Sequence, residues 1–195
     1  MNDVYTPCIL KETSEGTIRC TIKDEMFKRR EVECVGCITR ESADSLILQL
    51  RYLQAEDPKK GITMYINSPG GEVTSGLALY DVMQAITCPV RTICVGIAAS
   101  MAAILFISGD GRDMLPHARV MVHDPILEGG ANGSALSVYS ISQDLMKIRE
   151  IAGGIIAEHA GRGLDEVLEK TAAESYFDAE EAVRFGLADR IIKKI

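Results

Sequence analysis

The sequence predicts an α/β domain built on a largely parallel sheet. Three observations carry the prediction: short apolar segments of strand character alternate with segments of helical spacing, the connections between them are short, and no shift of composition divides the 195 residues. A hydrophobic share of 47% with 25% charged residues is an ordinary globular balance, which excludes global disorder. One domain over residues 1–195 is expected.

Residues 1–20 are polar and mixed, with a turn at Ser14-Glu15-Gly16; this segment is expected either to be mobile or to dock on a partner. Residues 31–38 (EVECVGCI) read as a strand. Residues 42–55 carry Ala43, Leu46, Leu48, Leu50 and Leu53 near helical spacing, with Ser42 as N-cap and a break at Pro58 to Gly61. Residues 62–66 (ITMYI) form a short buried strand, ended by Asn67-Ser68-Pro69-Gly70-Gly71. A second helix, 76–86, carries Leu77, Leu79, Val82, Met83 and Ile86, with Thr74 or Ser75 as its cap and Pro89 as its stop. Residues 90–95 are the next strand, and Ser100 opens or lies just inside the next helix. A Gly109-Asp110-Gly111 turn leads to strand 119–123 (RVMVH), a glycine-rich loop at 128–133 and a long helix over about 134–159. Gly153-Gly154 cost that helix roughly 2 kcal/mol of propensity, so an interruption or bend is expected there. Helix 165–169, strand 175–177, helix 180–185 and a terminal strand near 189–192 complete the chain.

Charge and composition remove several function classes. The formal charge is −7, from 21 Lys and Arg against 28 Asp and Glu, and no basic stripe interrupts it, so nucleic acid is not an expected partner. From Thr92 to Gly109 (TICVGIAASMAAILFISG) no residue is charged, yet the run falls short of the ~20 apolar residues of a spanning helix, and Gly96, Ser100 and Ser108 interrupt it. Its β-branched front and alanine-rich back predict a buried strand running into a buried helix, with no membrane partner. The first residues lack the basic-then-apolar pattern of a secretory signal, and six cysteines are too sparse for a disulfide scaffold; a cytoplasmic location is expected. Cys34-Val35-Gly36-Cys37 forms a C-x-x-C. Without a second pair or neighbouring histidines it reads as buried strand cysteines rather than a zinc or redox site.

Three histidines narrow the search for chemistry. His117 adjoins Pro116 in a turn and His159 lies near the end of the long helix. His123 ends an apolar strand, where side chains of α/β folds commonly face a site; a satisfied strand-end histidine is the plainer alternative. Ser100 interrupts an apolar run between Ala98, Ala99, Ala102 and Ala103. A helix N-terminus there supplies free N–H groups and partial positive charge for an oxyanion, while a simple capping serine is the alternative. The G-x-S-x-G elbow is absent. Gly70 and Gly71, after a buried strand, let backbone approach a ligand and aim N–H groups at it. No Lys-Ser/Thr pair follows, so Walker phosphate chemistry is not expected, and a tight turn is the alternative.

Together these features are more specific than any one alone. Asn67-Ser68-Pro69-Gly70-Gly71, Gly96-Ile97-Ala98-Ala99-Ser100-Met101-Ala102-Ala103 and Arg119-Val120-Met121-Val122-His123-Asp124-Pro125 resemble the signature blocks of the ClpP peptidase family, the proteolytic subunit of Clp proteases in the ClpP/crotonase superfamily. The similarity runs from about Glu12 to Ile192 and includes Glu181-Ala182-Val183, Gly186-Leu187 and Asp189. It implies a crotonase-like spiral of β-β-α units with a projecting handle, a strand plus a long helix, at about residues 126–160. It also implies a serine peptidase with Ser100 as nucleophile and His123 as general base, a pair that makes chemical sense because a serine hydroxyl is a poor nucleophile until a neutral imidazole takes its proton. Gly71 and Met101 match the positions whose N–H groups form the family's oxyanion hole. The implied partners are peptide and unfolded-protein substrates, an AAA+ unfoldase that hydrolyses the ATP, and further copies in heptameric rings stacked in pairs, either homomeric or mixed with a paralogue. The rings would meet through the Gly129-rich strand and the long helix. The resemblance implies no metal or organic cofactor.

The chain departs from the family at the third member of the triad. The usual Asp is matched by Glu174, in Ala173-Glu174-Ser175-Tyr176. Its extra methylene demands a backbone shift or another rotamer, and a 1 Å misplacement costs on the order of 100-fold in rate. Glu174 is therefore expected either to orient His123 or to leave a weakened triad. Asp124 directly follows His123 and is expected to face away from it, and Asp178 heads a capping box. The basic residues around the acid, which join the rings, are replaced by Ala173 and Ser175, and the turn between nucleophile and base is shorter than in typical members. On the face matching the ATPase docking site, Tyr52, Tyr65 and Leu115 remain, while Ala85 takes a usual aromatic position; the partner loop is expected to bind more weakly or differently. These departures imply a divergent paralogue. One rival is a catalytically silent paralogue that regulates a mixed complex. The other is a crotonase-type acyl-CoA enzyme, against which His123 in its strand block argues.

Overall fold

A computed structural model describes residues 7–14, 16–127 and 129–195. Along the chain lie β1 (Cys8–Thr13), β2 (Gly16–Thr21), α1 (Ile22–Lys28), β3 (Glu31–Val35), α2 (Arg40–Glu56), β4 (Ile62–Ser68), α3 (Val73–Ala85), β5 (Val90–Ala99), α4 (Met101–Ile107), β6 (Gly111–Met114), β7 (Arg119–Val122), α5 (Ala135–Ala160), α6 (Leu164–Thr171), β8 (Ser175–Phe177), α7 (Ala179–Phe185) and β9 (Arg190–Ile191). The strands β3, β4, β5, β6 and β9 lie side by side in that order, every pair parallel. β7 runs parallel to the far half of β5, and β8 closes on β7 in the antiparallel sense. The α/β fold with a parallel-dominated sheet is the one the alternation of segments predicts.

Burial explains the pattern. The core-facing residues of α2 are Ala43, Leu46, Leu50 and Leu53, at helical spacing. α4 is buried on every side, from Met101 to Ile107, which is why its sequence lacks a polar face. The uncharged run from Thr92 is thus most of β5 followed by this short helix, and no helix among the described residues is long and apolar enough to cross a membrane.

The sheet changes partners where the chemistry is expected. Arg91–Cys94 of β5 pair with β6, whereas Ile97–Ala99 pair with β7. The β4–β5 register slips between Ile66 and Ser68 at the same level, and the Asn67 side-chain oxygen accepts the Ile97 N–H at 3.2 Å. A Cβ on Gly96 would stand 2.5 Å from that oxygen, so only glycine lets the Asn67 side chain fill the gap. Such a switch of strand partners opens a crevice beyond the carboxyl ends of the strands.

Several local expectations change. Thr39, not Ser42, caps α2, and Ser42 is the reciprocating member of the capping box: its Oγ accepts the Thr39 N–H at 2.9 Å. α3 starts at Val73 behind Glu72 with no side-chain cap, so neither Thr74 nor Ser75 caps it; the Ser75 hydroxyl donates to the Glu72 carboxylate at 2.6 Å. The expected polar segment forms an antiparallel hairpin from Cys8↔Thr21 to Thr13↔Gly16, followed by α1; its residues 1–6 and Glu15 lie outside the described residues. Cys34 is buried, and burial pushes its thiol up to about 11, but Cys37 is exposed rather than in a strand. Among the described residues no three His, Cys, Asp or Glu side chains gather as metal ligands.

The segment expected to form a handle differs in two ways. The described residues between β7 and α5 form no strand, and Gly129, Gly130 and Gly133 hold φ of 81, 76 and 137°. A strand needs a ladder partner, and none of the described strands pairs with this segment. Glu128 lies outside the described residues. α5 runs as one helix through Gly153-Gly154 rather than breaking there, and ends at Gly161 in the left-handed region. A Cβ on Gly153 would stand 2.7 Å from the Leu168 Cδ2, so this glycine admits α6; a Cβ on Gly154 would meet nothing within 4 Å. Gly154→Ala is expected to stabilise the fold by about 0.5–1 kcal/mol, while Gly153→Ala gains less or loses because Leu168 must yield; urea unfolding of the two variants checks this.

Candidate active site

Ser100 sits at the β5–α4 junction with φ 54° and ψ −124°, and only Arg30 shares a positive φ among the described non-glycine residues. A side chain in this region costs roughly 1–3 kcal/mol and is tolerated where the surroundings over-determine it. Here they do: the Ser100 N–H donates to the Met121 carbonyl at 2.8 Å, extending the β5–β7 ladder, while α4 behind it is locked in the core. The hydroxyl does not cap the helix, so the capping alternative does not hold. The side chain is half-buried.

The Gly70-Gly71 turn presses against this junction. A Cβ on Gly70 would lie 2.8 Å from Ser100 Cβ and 3.0 Å from the Met101 nitrogen, so the turn passes directly over the serine. Ser68 Oγ, buried, accepts the Gly70 N–H at 3.1 Å, and the Ile38 N–H donates to the Gly70 carbonyl at 2.8 Å, which together hold the turn. Among the described residues no protein acceptor takes the N–H of Gly71 or of Met101.

β7 delivers the histidine. Its pairing of Ala99 with Met121 puts the end of β7 beside the end of β5, and His123 follows one residue beyond the strand. Ser100, Met101 and His123 line one cavity, whose walls include Val73, Ile104, Val122, Ile148 and Ile156. No hydrogen bond joins Ser100 and His123 in this structure; such bonds are often long before substrate binds. His117 and His159 do not line this cavity. His117 is exposed, and His159 stands 3.5 Å from the Tyr80 hydroxyl, its pKa lowered mainly by burial.

Glu174 is not brought in. It is exposed between α6 and β8, outside the cavity lining, and its Oε2 accepts the Tyr176 hydroxyl at 3.2 Å. Asp124 does line the cavity, but its carboxylate is taken by Arg149 and Thr171 rather than by His123. Asp178 caps α7 in a capping box with Glu181. Arg149 and Thr171 carried no signal in the sequence, being a mid-helix arginine and a helix-end threonine that only folding brings to Asp124. Of the residues matched to the docking face, Tyr52 is exposed on α2 with its ring 5.6 Å from Phe27, Tyr65 lines a groove with Met26, Val35, Val95 and Ile195, and Leu115 packs on the core.

A family model for Clp protease matches residues 14–195, nearly all of this arrangement. The chain belongs to the Clp protease family. At family level it is a ClpP-type peptidase.

Proposed function

We propose that this chain is a serine endopeptidase subunit of an ATP-dependent Clp protease, one peptidase domain over residues 1–195 with a handle at about 126–160. The observation that carries the reading is an uncapped Ser100, held at positive φ, in one cavity with His123 and against a turn whose Gly71 N–H, like that of Met101, lacks a protein acceptor. In this reading the neutral His123 ring takes the Ser100 proton as Oγ attacks a peptide carbonyl carbon. The oxyanion is received by the Gly71 and Met101 N–H groups, and His123 returns the proton to the leaving amine. A water activated by the same ring then hydrolyses the acyl-enzyme.

Exposed apolar side chains on α5 are in keeping with assembly into rings. Leu136, Tyr139, Met146 and Ile151 are more than half exposed on α5, an apolar face suited to further copies in heptameric rings stacked in pairs. The chamber so formed admits short peptides, and a cytoplasmic AAA+ unfoldase, docked over the face with Tyr52, Tyr65 and Leu115, delivers unfolded proteins.

Glu174 supports a second reading, a weak or silent paralogue in a mixed complex, because its carboxylate is turned to Tyr176. In that rotamer Glu174→Gln is expected to lower kcat less than about tenfold, against about 10⁴-fold for a seated triad acid. Glu174→Asp, with the family's shorter arm, is expected to raise turnover. Fluorophosphonate labelling at Ser100, alone and mixed with an active paralogue, tests the main reading; absence of labelling in both favours the silent subunit.

A further inference from the structure

We propose that Asp124 is a positioning residue for His123, clamped by Arg149 and Thr171 so that the peptide following β7 is fixed to α5 and to the end of α6. The inference rests on the reading of Ser100 and His123 as the reacting pair. Asp124 commits both carboxylate oxygens and its N–H to this clamp. Its Oδ2 accepts the Arg149 Nε–H at 2.6 Å, its Oδ1 accepts the Thr171 hydroxyl at 2.6 Å, and its N–H donates to the Thr171 carbonyl at 2.6 Å. The second arm of Arg149 donates from Nη2 to the Leu168 carbonyl at 2.9 Å, so one guanidinium ties the His123 segment and α6 to the middle of α5.

The chemistry of these contacts suits a fixed anchor. An arginine–carboxylate bond is charge-assisted and directional. The pair is shielded, with side-chain exposures of 22% for Arg149 and 30% for Asp124, and Thr171 is 3% exposed. His123 needs such an anchor because among the described residues its ring has no hydrogen-bond partner and Glu174 faces elsewhere. Its place is set by the backbone on either side: before it, the Val122↔Ser175 pairing of β7 with β8; after it, the clamp. With both carboxylate oxygens occupied, Asp124 acts on the imidazole through the chain rather than as its acceptor.

The test uses the assembled full chain with Arg149→Ala, Arg149→Lys and Asp124→Asn. Arg149→Ala is expected to lower kcat for a short fluorogenic peptide by at least about tenfold with KM changed less than about twofold, and to slow fluorophosphonate labelling of Ser100 by the same factor. Asp124→Asn falls in the same direction. Arg149→Lys, which keeps a cation for Asp124, recovers most of the rate. Hydrogen exchange of the peptide spanning residues 119–127 speeds up in Arg149→Ala, while that of the β5–α4 junction does not change. Unaltered kcat and labelling in Arg149→Ala, or no recovery with lysine, overturns the clamp. If the wild type resists labelling and Ser100→Ala hydrolyses peptide normally, the Ser100–His123 reading falls instead. Exchange at 119–127 then still judges the clamp, and unchanged exchange overturns it.

Discussion

Ser100→Ala is expected to abolish peptide hydrolysis, with kcat/KM falling at least about 10⁴-fold and fluorophosphonate labelling vanishing. The fold should be untouched. The hydroxyl makes no cap bond, the N–H bond to Met121 is backbone and survives, and alanine at φ 54° carries much the same strain as serine. A thermal midpoint within a few degrees of wild type, together with lost turnover, assigns the effect to the missing oxygen. Wild-type hydrolysis in this variant would remove the serine mechanism altogether. His123→Ala should fall almost as far, since nucleophile and base act as one unit and their losses are not additive.

Gly70→Ala is expected to damage the site severely. The new Cβ would lie 2.6 Å from the Ala99 carbonyl oxygen, 2.8 Å from Ser100 Cβ and 3.0 Å from the Met101 nitrogen, and φ is +93°. Two of those atoms are backbone, so no flexible side chain can swing away. The turn must lift, carrying the Gly71 N–H off the position where an oxyanion would form. Loss of one such donor costs on the order of 10²–10³ in kcat, and the strained φ adds roughly 1–2 kcal/mol of instability. Gly36→Ala is the control: φ is +77° there too, but nothing lies within 4 Å of the added methyl, so it should lose stability and keep its rate. Normal kcat in Gly70→Ala at unchanged stability would separate this turn from catalysis.

Much of the fold is legible in sequence because burial repeats with local period. Leu46, Leu50 and Leu53 of α2, the uncharged run through β5 and α4, and the glycines after β4 each report their own surroundings, whereas Leu48 of α2 is exposed. Three of the elements that sequence misses, β1, β2 and α1, lack that signal. The β1–β2 hairpin is almost wholly exposed and α1 has no buried residue, so no apolar period marks them. The expected interruption at Gly153-Gly154 fails for another reason: propensity counts the cost of glycine in a helix but not the return from letting Leu168 pack against it.

Within the site, the chain by itself marked Ser100, His123 and the Gly70-Gly71 turn as candidates, because each lies in a contiguous block whose chemistry is local. Only tertiary structure decided that Ser100 takes a positive φ, that Glu174 turns to Tyr176, and that Asp124 meets Thr171 across a separation of 47 positions. A side chain's partner is set by which segments pack together, and for charged and hydroxyl groups the choice among acceptors turns on distances of a few tenths of an ångström. Periodicity carries no information at that scale.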